Sequence, residues 1–323
     1  MQRYDFFLIY AKKVVSLQRI MDMKTLIYRA KSWLKHQLTA RNTGGHGVHS
    51  PYLFEWVRMV MSDKNTYYVW DEIEEIRQEM LKDTRELEFV DYGSGNLKGE
   101  NGKLKGGNGE RRRVCDIAKG SLARRKDAQL LARLVGWLGR PLLTSPSRGG
   151  IGDEASEDRN GLTIVELGTS LGVTTAYLAA MDSRNKVVTY EGCPAVAEVA
   201  RANWEKLGLS NIACVVGEIT VDSLQFTVDS LQLAVDRLSG IDVAFIDANH
   251  TYEATLTYFN ALASRVHEKS VVVVDDIHYN EDMEKAWKAI CADERVTTTM
   301  DLYRMGLVFF DKHYWRKHYK MRI

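Results

Sequence analysis

The sequence has little cysteine, and no pattern in what it has. Cys115, Cys193, Cys214 and Cys291 are spaced neither like zinc ligands nor like a redox pair, which argues against a zinc module or a thiol oxidoreductase. No secretory signal is evident, so they read as reduced thiols and a cytoplasmic location is expected. Long apolar runs are missing too. The opening MQRYDFFLIYAKKVVSLQRI holds only a short one, too brief for a signal core or a membrane span, so no transmembrane segment is expected. Charge of one sign is also lacking. With 44 Lys and Arg against 43 Asp and Glu, the net charge is +1, which gives no bulk reason to expect a nucleic-acid partner.

What is present suits a soluble globular protein. Hydrophobic residues make up 45% and charged residues 27% of 323, enough for a full-sized core. Basic residues gather in the first forty positions and in the closing KHYWRKHYKMRI. The N-terminal stretch reads as a helix packed on the domain; the alternative is a basic amphipathic helix making peripheral membrane contact. Residues 1–88 read as mostly helical, with SPYLFEWVRMVMSD and DEIEEIRQEMLKDTRELEF carrying apolar residues at helical spacing. Residues 93–109 hold seven glycines among Lys and Asn, a loop composition. These signs divide the chain into a helical N-terminal extension, 1–123, and an α/β domain, 124–323. The extension is expected to form a lid or the surface of a homodimer; His46 and His49 of GGHGVHSP read as plain turn histidines, the alternative being that they reach over the site as part of the lid.

In the second part, short β-rich runs alternate with amphipathic helices: LTIVELG, KVVTYEG, IACVVGE, IDVAFIDA and SVVVVDD. They are apolar on both faces, as strands of a covered parallel sheet are. VTTTMDLYR and GLVFFDKH, joined by a very short link, read as an antiparallel hairpin. The expected fold is therefore a Rossmann-like, mostly parallel α/β sheet ending in an antiparallel hairpin. One internal repeat, TVDSLQF, TVDSLQL and AVDRLSG, runs from Thr220 to Gly240 and suits a short amphipathic connector.

Two stretches compete as a nucleotide loop. FVDYGSGN offers Asp91, Gly93 and Gly95, but NLKGENGKLKGGNG follows, with no helix to supply N–H donors. It reads as an extended stub leading into a loop. TIVELGTSLGVTTAYLAA has the order strand, acid, glycine turn, helix. Gly168 and Gly172 let the backbone turn sharply and approach a ligand, and the helix from Val173 turns N–H groups to the same crevice. Glu166, Thr169 and Ser170 share the turn. The next strand ends in Glu191 and Gly192, and an acid there can accept hydrogen bonds from both ribose hydroxyls. Gly217 and Glu218 end the strand after that, at a candidate adenine edge. The glycine spacing is not G-x-G-x-x-G, which disfavours a dinucleotide, and no P-loop lysine follows.

This arrangement resembles motif I of the class I S-adenosylmethionine-dependent methyltransferases, over roughly residues 125–312. The resemblance implies a seven-stranded sheet with a final reversed strand. It also implies S-adenosyl-L-methionine bound by Glu166, Gly168, Thr169, Ser170, Gly172, Glu191, Gly192, Gly217, Glu218 and Asp247.

FIDANHTYE and VVVVDDIHYN bring Asp247, Asp275 and Asp276 to one edge of the sheet. Crowded carboxylates repel unless something neutralises them. A divalent cation with oxygen ligands is one solution; it could lower the pKa of a substrate hydroxyl. His250 or His278 could serve as general base. This half resembles the metal-dependent O-methyltransferases of the catechol and macrocin types. That resemblance implies Mg2+ or another divalent cation on Asp247, Asp275 and Asp276, with His250 and Asp247 at the chemistry. His250 stands where the catechol type has a lysine, and the DANHTYE and DDIHYN segments look closer to the macrocin type. Met283 and Trp287 on the following helix read as core. The expected activity is methyl transfer to a hydroxyl of a small-molecule or sugar acceptor. The alternatives are an NAD-type oxidoreductase and a non-catalytic Rossmann-like binding module.

Overall fold

A computed structural model describes residues 25–89, 110–140, 161–219, 240–313 and 315–322. The opening twenty residues, Asp91, Gly93 and Gly95, the glycine-rich loop and nearly all of the Thr220–Gly240 repeat lie outside these.

The chain enters as helix α1 over residues 25–39. Helix α2, Pro51–Trp56, has Pro at its first turn, and the Ser50 side chain accepts from Leu53 N; it runs on into a π-helical turn, Val57–Met61. Helix α3 is Tyr68–Lys82, with Trp70, Ile73, Ile76 and Met80 on its buried face. Strands β1, Glu86–Phe89, and β2, Glu110–Arg113, pair antiparallel with Phe89 opposite Glu110. Thus the FVDYGSGN stub begins as a true strand, in a small sheet of its own. Helices α4, Val114–Ser121, and α5, Arg125–Leu138, lead to the main sheet.

The main sheet alternates strand and helix: β3 Thr163–Leu167, α6 Val173–Ala179, β4 Lys186–Glu191, α7 Pro194–Lys206, β5 Ile212–Val216 and β6 Ile241–Ile246. Next come α8 Tyr252–Ala263, β7 Val266–Asp275, α9 Glu281–Ala292, β8 Thr298–Asp301, β9 Met305–Phe309 and β10 Lys317–Lys320. The spatial order is β10-β8-β9-β7-β6-β3-β4-β5. Strands β3 to β7 are parallel; β9 is antiparallel to both β7 and β8, so the expected hairpin and reversed strand are present. The seven expected strands gain an eighth: β10, from the basic C-terminal segment, pairs parallel with β8.

The strand runs are apolar throughout because both faces are covered. Ile164, Val243, Phe245, Val271 and Val273 face a core shared with α2 and α5, while Val165, Ala244, Ile246, Val272 and Val274 face α8 and α9. Alternate residues thus enter opposite cores. Met283 and Trp287 are core, as expected. Residues of 1–123 join the same cores: Trp56 packs edge-on against Phe309, and Trp70 packs near Tyr177 of α6. The GGHGVHSP segment lies by β10, where Asn42 N donates to Lys320 O and Arg322 N donates to Thr43 Oγ1. Among the described residues, no helix is long and apolar enough to cross a membrane. All four cysteines are free.

Candidate active site

Chain order reverses beside β3: β4 and β5 extend the sheet on one side, β6 and β7 on the other. Such a switch point opens a crevice at the carboxyl ends of the strands. The glycine turn after β3, Glu191, Asp247, Asp275 and Asp276 all meet at this edge.

The turn is shaped chiefly by the chain's own backbone. Gly168 has φ of 101°, and a Cβ there would collide with the main-chain carbonyl of Asp247. Gly172 has φ of 78°, and its Cβ would come 2.6 Å from Trp204 Nε1. Trp204 Nε1 donates to Gly172 O at 2.8 Å, and Asn203 Nδ2 donates to Leu171 O at 2.9 Å. Side chains of α7 therefore satisfy carbonyls at the head of α6. The sequence suggested close approach to a ligand; the structure shows close approach to β6 and α7.

Glu166 is displaced from its expected role. It is fully buried, and its Oε2 accepts from Thr175 Oγ1 at 2.5 Å and Thr189 Oγ1 at 2.7 Å. It has no exposed surface to offer a ligand and instead ties β3 to α6 and β4. Burial raises its pKa to about 8 against the two hydroxyl bonds, so it keeps its proton at neutral pH. Thr169 also turns inward, its Oγ1 2.6 Å from Thr189 Oγ1. Ser170, at φ of 49°, remains at the crevice.

Glu191 stands at the mouth. Its Oε2 accepts from Ser170 N at 2.8 Å and its Oε1 from Cys193 N at 2.9 Å. The N–H groups of Ser170, Cys193 and Gly192 take up part of its acceptor capacity, and what remains can accept a ligand hydroxyl. Burial raises the Glu191 pKa, while the N–H groups of Cys193, Ser170 and Gly192 oppose that. Gly217 N donates to Glu191 O, and a Cβ on Gly217 would meet nothing within 4 Å among the described residues, so a flat ring could lie against it. Glu218 follows at the same strand end. Sequence reasoning missed Ser121, whose Oγ is 2.5 Å from Ser170 Oγ. No local signal marks it, because α4 reaches the turn through tertiary packing.

At the other half of the crevice, His250 Nε2 lies 3.4 Å from Asp247 Oδ1 and 3.9 Å from Asp276 Oδ2, at ion-pair range but outside hydrogen-bond geometry. Asn280 Nδ2 donates to His250 O, holding the loop, and the Tyr279 ring lies 5.6 Å from the imidazole. Burial alone would lower the His250 pKa; Asp247, by contact and charge, and the charge of Asp276 outweigh it and raise it. Asp275 is buried with Oδ1 unpartnered, and its pKa is driven well up by burial and by the charges of Asp247 and Asp276. Asp276 is also raised by burial, with His250 and Arg304 opposing.

Several cations reach these acids without any motif to announce them. Arg304, in the β8–β9 turn, places Nη2 3.8 Å from Asp276 Oδ1 and donates from Nε to Asp127 Oδ2 at 3.1 Å. Arg124 holds the same Asp127. Arg29, from α1, stacks its guanidinium 4.3 Å from the Tyr279 ring centre.

The three acids do not fit a ready-made cation site. Among the described residues, only Glu268, Asp311 and His313 form a group whose ligand atoms all lie within 4.8 Å of one another. Burial and the neighbouring carboxylates push the Asp275 pKa up, and Arg304 and His250 stand at ion-pair range from Asp276. His250 and Arg304 therefore offset part of the charge that Asp247 and Asp276 bring to this edge, where a divalent cation was expected.

His278 is likewise not at the reacting edge. Its Nε2 lies 3.0 Å from Asp301 Oδ2, His36 Nε2 lies 3.1 Å from Asp301 Oδ1, and the His278 ring stacks on Tyr303. Burial would raise the Asp301 pKa, but the bonds from His278 and His36 win and hold it well below the usual range. This buried trio fastens α1 to the sheet.

Residues 165–277, from β3 through the loop after β7, match the model of a family described as a methyltransferase domain. Over these residues the chain is similar to a methyltransferase domain. It resembles the class I S-adenosylmethionine-dependent methyltransferases. An O-methyltransferase from Bacillus cereus, solved with S-adenosylhomocysteine, is 18% identical over 80% of this chain and 97% of its own, with a TM-score of 0.47. The O-methyltransferase TomG of Streptomyces achromogenes, involved in tomaymycin synthesis and solved with S-adenosylmethionine, is 17% identical over 58% and 81%, with a TM-score of 0.44. A Podospora anserina methyltransferase bound to S-adenosylhomocysteine is 11% identical over 77% and 99%, with a TM-score of 0.44. No curated protein matches the chain.

Proposed function

We propose that the protein transfers the methyl group of S-adenosyl-L-methionine to a hydroxyl oxygen of a small-molecule or sugar acceptor. The observation that carries this reading is the placement of His250, with Asp247 and Asp276 at its Nε2, across the crevice from Glu191 and the glycine turn.

The residues present fit the cofactor. Glu191 has lone pairs for ribose hydroxyls, Ser170 and Gly192 line the turn, and Gly217 leaves a clear face beside Glu218 for the adenine. When bound, S-adenosyl-L-methionine supplies an electrophilic methyl on a sulfonium. The acceptor oxygen forms the new bond to that methyl as the carbon–sulfur bond breaks, and the bonding pair leaves with sulfur. His250 takes the acceptor proton. Its Nε2 faces the carboxylates, so Nδ1 is the ring atom left to accept it. Asp247 orients the imidazole and stabilises the imidazolium that results. Arg304, 3.8 Å from Asp276, opposes the burial that raises the Asp276 pKa and so favours negative charge beside His250.

Isothermal titration with S-adenosylhomocysteine and, separately, NAD tests the cofactor assignment. The first is expected to bind and the second not; binding of NAD alone would replace this reading with the oxidoreductase one. Labelled methyl transfer to a panel of hydroxylated acceptors then tests the reaction.

A further inference from the structure

Helix α1 carries two functions on two faces. Its inner face is fastened by contacts far apart in sequence. His36 meets Asp301, Tyr303 Oη donates to Arg29 O at 2.9 Å, and Tyr28 Oη donates to Glu284 Oε2 at 2.5 Å. Its outer face is apolar and, among the described residues, uncovered: Leu26 is 68% exposed, Ile27 48%, Trp33 51%, Leu34 53% and Leu38 76%. At 3.6 residues per turn these five fall within an arc of about 140°, turned away from the side that buries Ser32 and His36. Lys31 lies on the flank of that arc, and Lys35 about 60° beyond it, where its charge also reaches Glu284; both are exposed.

A folded monomer rarely leaves such a row in water. Charge decides what covers it. Between Asp22 and Glu55 the chain has five Lys or Arg and no acid. A second copy docked by this same face would bring Lys31 and Lys35 near their own equivalents, which repel. An anionic bilayer attracts them, while the leucines and Trp33 enter the boundary between headgroups and acyl chains. We propose that α1 docks the protein onto an anionic lipid surface through Leu26, Ile27, Trp33, Leu34 and Leu38, with Lys31 and Lys35 at the headgroups. The surface is separate from the proposed methyl-transfer chemistry. Its consequence for the crevice is positional, since the same helix carries Arg29 to the catalytic edge.

Co-sedimentation of the full chain with vesicles of phosphatidylglycerol and phosphatidylcholine, against phosphatidylcholine alone, tests this. The protein is expected to pellet with the anionic vesicles, to be released by high salt, and to bind roughly tenfold more weakly as the Trp33→Glu, Leu34→Glu double variant. Both positions face outward, so an unchanged thermal melt will show that the variant folds. Absence of pelleting, or equal pelleting by the variant, overturns the proposal; the latter would move binding to another segment. Sedimentation velocity showing a dimer that the double variant abolishes, without vesicle binding, also overturns it and gives the face to a second copy.

Discussion

The main-chain carbonyl of Asp247 occupies the space that a side chain on Gly168 would need. The glycine turn after β3 and the loop after β6 are thereby locked to one another. Gly168 also sits at φ of 101°, where an L side chain is strained. Gly168→Ala is expected to cost about 2–4 kcal/mol of stability and to abolish S-adenosylhomocysteine binding. Thermal denaturation and calorimetric titration of the same sample will read both.

Glu166 gives the fold a pH dependence of its own. Its folded pKa, about 8, lies above its ordinary 4.5. Below pH 4.5 both folded and unfolded states hold the proton. Above that, the unfolded chain releases it first and gains stability, so the fold weakens as pH climbs from about 4.5 to about 8, then levels off. A tenfold difference in proton affinity between the two states corresponds to about 1.4 kcal/mol. Glu166→Gln should flatten that part of the curve, so the gap in melting temperature between variant and parent will change across this window. A constant gap would show that Glu166 titrates normally.

His250 must be neutral to accept a proton, and its acid neighbours raise its pKa above the ordinary 6.5. Turnover should therefore rise with pH through an inflection above 6.5, and Asp247→Asn should move that inflection down. His250→Ala is expected to lower kcat by roughly 10²–10⁴-fold while S-adenosylhomocysteine still binds. If a rate–pH profile shows no inflection that Asp247→Asn moves, His250 is not the base.

With Arg304 and His250 at ion-pair range from Asp276, methyl transfer is expected to survive chelation. Assays with and without EDTA should agree within about twofold, while Arg304→Ala, which strips charge from Asp127 and Asp276, should cost about 1–3 kcal/mol of stability. Loss of turnover on chelation, restored by Mg2+, would return the three acids to a metal role.

What the sequence determined by itself was local and periodic. Apolar runs of β-branched residues fix strands, and three-and-four spacing fixes helices such as α3 and α5. The alternation of the two makes the sheet parallel, and parallel connections bring Glu191, Asp247, Asp275 and Asp276 to one edge. Only the tertiary structure decided which of those groups face a ligand. Glu166 reads as a motif acid, yet Thr175 and Thr189 draw it inside. Gly168 and Gly172 read as ligand glycines, yet Asp247 and Trp204 are what crowd them. Arg304, Arg29 and Ser121 carry no motif, and they reach the site because a β-turn, α1 and α4 pack there. The bond from Tyr303 to Arg29 spans 274 positions. Residue patterns report neighbours a few positions apart, whereas the charge around His250 is set by groups that only folding brings together.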